Sequence, residues 1–253
     1  SKFIGLIFPN LTNPFFAELV NELERQLFEQ GYKTIIASSA ENPEIEHEYL
    51  SMLMANQVDG IISGSHNLDI QEYHQVAAPI VSFDRYLADN IPIVASDSYR
   101  GGKLAVDYLL QHAVRHIAVI VDEDTSASPT LNRLQGAVDR LTEEHRSFDP
   151  LALDSIDFTT TFPGIYDGVV ASNDIQALEI AAVYRAHGLR MGRDFFITGY
   201  DGSQLVQKVA PQLPTVVQPI PELATALIKT LLQRVAQPTV QVPSTTLPVT
   251  FRQ

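Results

Sequence analysis

The chain has 253 residues, of which 45% are hydrophobic, 19% charged and 8% aromatic, enough apolar material for one large domain or two compact lobes. It contains no cysteine, which excludes disulfides and thiolate metal sites. A net charge of -13 with no stripe of Lys and Arg excludes this polypeptide, taken alone, as a binder of phosphate backbones.

Residues 2–9 read as a buried strand. No apolar run approaches the roughly 20 residues that a membrane helix needs, and this opening run is too short, with no small-residue cleavage site after it, for a secretory signal. The chain is therefore expected in the cytoplasm, or else begins after a removed segment. An amphipathic helix follows over 14–30, with Phe15, Phe16, Leu19, Leu23, Leu27 and Phe28 at helical spacing, Asn13 and Pro14 as start and Gly31 as stop. Next come a strand over 32–38, a helix over 43–56, a strand over 59–63, a short helix over 69–77 and a strand over 79–83. The pattern then restarts. Helices are expected over 99–112, 129–145, 174–187 and 219–235, and strands over 116–121, 151–157, 168–172 and 195–200.

Strand–helix alternation implies parallel sheets with helices on both faces, and two such series imply two similar α/β lobes. The expected division is 1–94 with 219–237 against 95–218 with 238–253, with crossings near Ala95, Gln218 and Gln237. Ligands of open α/β sheets bind beyond the carboxyl ends of the strands, so two lobes facing each other there would form a closable cleft.

Chemistry-bearing motifs are scarce. There is no phosphate-binding loop, no dinucleotide fingerprint and no nucleophile elbow. His112 and His116 have a chelating spacing but straddle a helix end and a strand start, and Asp122, Glu123 and Asp124 read as a solvated loop, so no metal and no cofactor is expected. No catalytic constellation supports an enzyme. The strand ends say more. Asn10 to Asn13, Asp84-Arg85, Asn173-Asp174 and Asp201 each follow a strand, where carboxylates, amides and an Arg fork can take sugar hydroxyls. Asn13 and Asp174 also suit helix capping, whereas Asp84 and Asp201 favour ligand contact.

The same residues carry a resemblance. Ile4-Gly5-Leu6-Ile7-Phe8-Pro9-Asn10-Leu11-Thr12-Asn13-Pro14-Phe15-Phe16 resembles the opening of the sensory core in the lactose-repressor family. Val58-Asp59-Gly60-Ile61-Ile62, Phe83-Asp84-Arg85, Ala171-Ser172-Asn173-Asp174, Gly199-Tyr200-Asp201-Gly202 and Pro214-Thr215-Val216-Val217-Gln218-Pro219 continue it in family order over nearly the whole chain. The resemblance implies two Rossmann-like lobes with parallel sheets, a periplasmic-binding-protein-like fold of type I. It implies the sugar-sensing, dimerising core of a repressor that reads operator DNA through an N-terminal helix-turn-helix head, which this sequence lacks. A ribose- or sucrose-type operon repressor is among the members it allows. The family's effector pocket falls on Phe16, Asp84, Arg133, Phe158, Asn173, Asp201 and Gln218. Core packing competes for Phe16 and Phe158, and a helix-surface role for Arg133. The rival reading is a periplasmic sugar-binding protein of a transport system.

One segment departs from the family. Residues 151–157 and 168–172 are expected to be neighbouring parallel strands, and parallel neighbours need a crossover of about 10–12 residues. Thr159-Thr160-Thr161 and Pro163-Gly164 are poor helix material. Either a shortened connection leaves one sheet face uncovered, or a helical segment is missing from the sequence near 158–162; the second is favoured because an uncovered parallel sheet exposes apolar surface.

Overall fold

Strand β1 (Phe3–Phe8) hands over to helix α1 (Pro14–Glu29) through a side-chain cap: Asn13 Oδ1 accepts the Phe15 N–H at 2.9 Å, and Pro14 supplies the first helical residue. The structure is a computed structural model that describes residues 1–67, 69–121, 129–152, 154 and 157–253. The chain continues through β2 (Lys33–Ser38), α2 (Pro43–Ala55), β3 (Gly60–Ser63), β4 (Ile80–Phe83) and β5 (Ile93–Ser96). Between β3 and β4 the described residues form a 3-10 turn, Gln71–His74, in place of the expected helix over 69–77. Asp69 lies at φ 56, a left-handed conformation that a helix does not continue through.

The second series is α3 (Ser98–Leu110), β6 (Ile117–Val121), α4 (Pro129–Glu143), β7 (Asp149–Ala152), α5 (Phe158–Ile165), β8 (Gly168–Val170), α6 (Asp174–Ala186), β9 (Phe196–Asp201), α7 (Gln204–Val209) and β10 (Thr215–Val217). The long helix α8 (Ile220–Ala236) and strands β11 (Thr245–Leu247) and β12 (Thr250–Arg252) complete the chain.

The chain divides into two compact units, Ser1–Ser96 with Pro219–Leu247, and Asp97–Gln218 with Pro248–Gln253. The first contains a six-stranded sheet ordered β11-β5-β4-β3-β1-β2, parallel throughout. The second contains a sheet ordered β12-β10-β9-β8-β6-β7, parallel except where β12 runs against β10. The expected assignment of 238–253 to the second unit is corrected. Residues up to Leu247 stay with the first because β11 pairs with β5, Thr245 opposite Val94.

Two expectations are also corrected: that 151–157 and 168–172 are neighbouring strands, and that a connection as short as 158–167 leaves a sheet face uncovered. β7 is not the neighbour of β8, because β6 lies between them. The connection is helical: Asp157 Oδ1 accepts from Thr159 N at 2.9 Å, the Thr161 N–H donates to Asp157 O at 3.0 Å, and the helix runs unbroken to Ile165 with Pro163 inside it. Phe162, fully buried, anchors it to the core beneath.

Alternation along the strands builds the cores. In β1, Ile4, Leu6 and Phe8 join one apolar cluster with Leu19, Leu23 and Leu27 of α1 and Leu223, Leu227 and Leu231 of α8, while Ile7 joins the opposite cluster with Leu50 and Leu53 of α2. In the second unit, Ala118 and Ile120 of β6 face the α5–α7 side, and Ile117 and Val119 face α3 and α4. Both sheets are therefore covered on both faces, as parallel sheets require. Each fully buried Leu contributes about 1.5–3 kcal/mol relative to exposure.

Candidate functional site

In the first unit, polar residues gather at the carboxyl edge of the sheet. Asn10, after β1, ties its own loop together: Oδ1 accepts from Thr12 N at 3.2 Å and Asn13 N at 2.9 Å. Asn13 is spent on capping α1. Asp84 follows β4 with φ 71, its N–H donating to Val94 O at 2.9 Å. Next to it, the buried Arg85 donates from Nη1 to His66 O at 2.9 Å, and Ser82 Oγ donates to the Arg85 carbonyl. Phe16 is buried among Phe8, Phe15 and the edge of the His66 ring, with centroid distances of 6.1, 5.6 and 5.4 Å. Its packing is thus largely core packing, with His66 at its polar margin. His66 Nδ1 lies 3.7 Å from Glu41 Oε1, and this histidine holds the Glu41 carboxyl below its usual value.

The second unit builds its set from a close helix crossing. A Cβ on Gly102 would lie 2.0 Å from Arg133 O, and one on Gly136 would lie 2.0 Å from Tyr99 O. Only glycines let the backbones of α3 and α4 touch in this way. Lys103 to Glu143 (2.9 Å) and Arg140 to Asp107 (2.6 Å) tie the same two helices at the rim. So held, α4 lays the Arg133 guanidinium 3.3 Å above the centroid of the Tyr200 ring and lets Nη1 donate to Ser172 O at 2.5 Å. A cation over an aromatic face is attracted by about 0.5–2 kcal/mol. Arg133 Nε is buried with no acceptor among the described residues.

Asn173, beside Ser172, caps α6 through Oδ1 to Gln176 N at 2.9 Å. That commits its acceptor and leaves the amide's donors as its remaining capacity. Asp174 is not the cap that the sequence suggested. It is the first helical residue, 2% exposed, bonded instead to Gly202 N at 2.8 Å and Thr215 Oγ1 at 2.5 Å. Asp201 and Gln218 meet through Gln218 Nε2 to Asp201 Oδ1 at 2.8 Å and Gln218 N to Asp201 O at 2.9 Å.

Of the seven residues singled out in the sequence, Arg133, Asn173, Asp201 and Gln218 thus stand around the ends of β8, β9 and β10, and Phe16 and Asp84 on the first unit's sheet edge. Phe158 begins α5, and its side chain lies outside the described residues, as do Asp122, Glu123 and Asp124. Sequence reasoning missed His66 and Tyr200. His66 trails β3, at the same edge that singled out Asp84, and Tyr200 sits inside a quoted motif, so the strand-end rule extended by a few residues finds both. His112 stacks on Phe196 at 4.2 Å, a packing role, and among the described residues no group of three or more acidic or histidine side chains is placed to hold a metal.

Residues 1–210 match the family of periplasmic binding proteins and the sugar binding domain of LacI family. The chain belongs to this family. It is 42% identical to the sucrose operon repressor of Pediococcus pentosaceus over 93% of this chain and 75% of that one. It is 33% identical to the ribose operon repressor of Halalkalibacterium halodurans over 93% and 73%. Among solved structures, a periplasmic binding protein/LacI transcriptional regulator from Alkaliphilus metalliredigens complexed with D-xylulofuranose superposes with a TM-score of 0.90 at 27% identity, covering 100% of this chain and 98% of that one. The resemblance to the lactose-repressor family, and the type I fold that it implied, are borne out, with two sheets that are parallel but for β12. No helix among the described residues is long and apolar enough to cross a membrane.

Proposed function

We propose that this chain is the effector-sensing core of a transcriptional repressor of a sugar operon. The observation that carries the reading is the 42% identity to a sucrose operon repressor along 93% of the chain. The geometry agrees with it. The carboxyl edges of both sheets carry carboxylate, amide and guanidinium groups suited to paired hydroxyls. Arg133, Asn173, Asp201 and Gln218 of the second unit, and Phe16 and Asp84 of the first, are the proposed effector contacts, with Phe158 as the stacking partner. An aromatic face against the C–H face of a sugar ring is the physical basis for that last role. The higher identity to the sucrose repressor favours sucrose over ribose as the first probe.

The remaining parts of the reading are a homodimer, an operator reached through an N-terminal helix-turn-helix head, and residence in the cytoplasm. The transport reading has less support, because the curated relatives are operon repressors. Those relatives are not enzymes, so candidate sugars are expected back unchanged after incubation.

The test is a thermal-shift panel of sugars followed by calorimetry on the best hit. A saturable shift with sucrose, ribose or a close relative is expected; a panel in which no sugar shifts the melting temperature refutes the sugar reading. Sedimentation at micromolar concentration should give twice the chain mass, and the chain mass alone counts against dimerisation.

A further inference from the structure

We infer that Asp174 is a positioning residue for effector binding, its carboxylate fixing the turn after β9 that presents Asp201. The inference rests on the proposed sugar site but concerns a residue outside the proposed contacts. Three segments converge on this one side chain. It starts α6, it accepts the Gly202 N–H at 2.8 Å, and it accepts the Thr215 hydroxyl of β10 at 2.5 Å. Capping does not account for it, since Asn173 already caps the helix.

β9 makes room for it. A Cβ at Gly199 would sit 2.2 Å from Asp174 Oδ1, so any side chain there would evict the carboxylate. The turn it grips is strained: Asp201 lies at φ 118 and Gly202 at φ 66. A non-glycine residue at such a φ persists only where its surroundings hold it. Asp201 is the residue that Gln218 engages from the other side. With Asp174 and Gln218 both in place, the Asp201 carboxylate is fixed before a ligand arrives, and a pre-organised group loses less entropy on binding.

Burial pushes the Asp174 carboxyl up to about 6, against the opposing hydrogen bonds from Thr215, Gly202 and the Tyr200 backbone and the attraction of Arg252 on β12, the charged group acting on it. The proton therefore returns near pH 6 in the folded chain. A folded value above that of the unfolded carboxyl means that this group's contribution to stability is full below the unfolded value of 3.8 and is lost as pH rises through about 6. Effector affinity should run the other way, because a neutral carboxyl grips the Gly202 N–H less firmly than a carboxylate.

The experiment compares the full chain with Asp174→Ala and Asp174→Asn, titrating sucrose and D-ribose by calorimetry above and below pH 6 and following amide exchange at Gly202. Asp174→Ala should weaken binding by roughly tenfold to a hundredfold, the scale of a lost charge-assisted hydrogen bond, and speed exchange at Gly202. Asp174→Asn keeps an acceptor for Gly202 and mimics the protonated acid. Its affinity should be flat across pH 6, within about fivefold of the wild type above it and merging with the wild type below it. Wild-type affinity in Asp174→Ala, unchanged protection at Gly202, or a pH slope retained in Asp174→Asn each overturns the inference while leaving the sugar reading intact. A wild type that takes no sugar of the thermal-shift panel instead overturns that reading and the effector role together, with exchange at Gly202 still deciding whether Asp174 holds the turn.

Discussion

Gly136→Ala probes how the α3–α4 crossing supports the site. The added Cβ would stand 2.0 Å from the carbonyl oxygen of Tyr99, where real Cβ contacts stay above 3.0 Å. The obstructing atom is backbone, so relief requires α4 to retreat from α3 by about 1 Å along the contact. Overpacking of this kind costs about 1–3 kcal/mol, and a rigid backbone partner places it at the upper end. Replacing a helical glycine returns about 1 kcal/mol. A net loss of about 2 kcal/mol should lower the melting temperature by about 4–8 °C. The matched control is Gly164→Ala in α5, exposed and with nothing within 4 Å of the new Cβ, which should be neutral or stabilising by up to about 1 kcal/mol. Thermal denaturation followed by circular dichroism reads both. If Gly136→Ala melts at or above the wild type, α3 and α4 are not in backbone contact and the account of how Arg133 is held fails.

Arg133→Ala should weaken sugar binding by about 2–3 kcal/mol with the fold retained, and calorimetry giving unchanged affinity would exclude it from the contacts. Glu46, buried beside Ser65, Asn67 and Tyr73, has its carboxyl raised by burial, so its charged form destabilises the fold as pH rises through the folded value. Glu46→Gln should therefore raise the melting temperature at neutral pH, with the gain vanishing below the ordinary glutamate value of 4.5; a gain that grows on acidification would reverse the assigned sign. Leu27→Ala, in the apolar cluster that α1 shares with α8 and fully buried, should cost about 2–5 kcal/mol in urea denaturation, and a loss well below 1 kcal/mol would mean that the two helices do not share a core.

The sequence made the long elements legible because their periodicity and punctuation agree. Asn13-Pro14 and Gly31 bracket α1, and the apolar spacing between them matches its buried face. Elements decided by partners were not legible. β10, β11 and β12 have three residues each, too few to show a period, and exist because neighbouring strands accept them. α5 contradicts its own propensities: Asp157 caps it and buried Phe162 anchors it, so tertiary contact overrides Thr159, Thr160, Thr161 and Pro163. At the site, the strand-end rule found Asp201 and Asn173 but not their division of labour. That Asn173 caps while Asp174 reaches across to Gly202 depends on a 28-residue separation no local pattern encodes.

The interleaving of the two units bears on how the chain leaves the ribosome. The first 96 residues carry five of the six strands of their sheet but not α8, whose Leu223, Leu227 and Leu231 fill the same cluster as Ile4, Leu6 and Leu23, nor β11, which closes the edge beside β5. At about 5–20 residues per second, the face awaiting α8 stays bare for on the order of ten seconds while 97–218 is made. That intervening stretch is nearly self-sufficient, lacking only the terminal strand β12, so the unit begun second is in a position to fold first. The nascent chain thus carries an open apolar surface while residues 97–218 are made, the kind of surface that holding chaperones occupy.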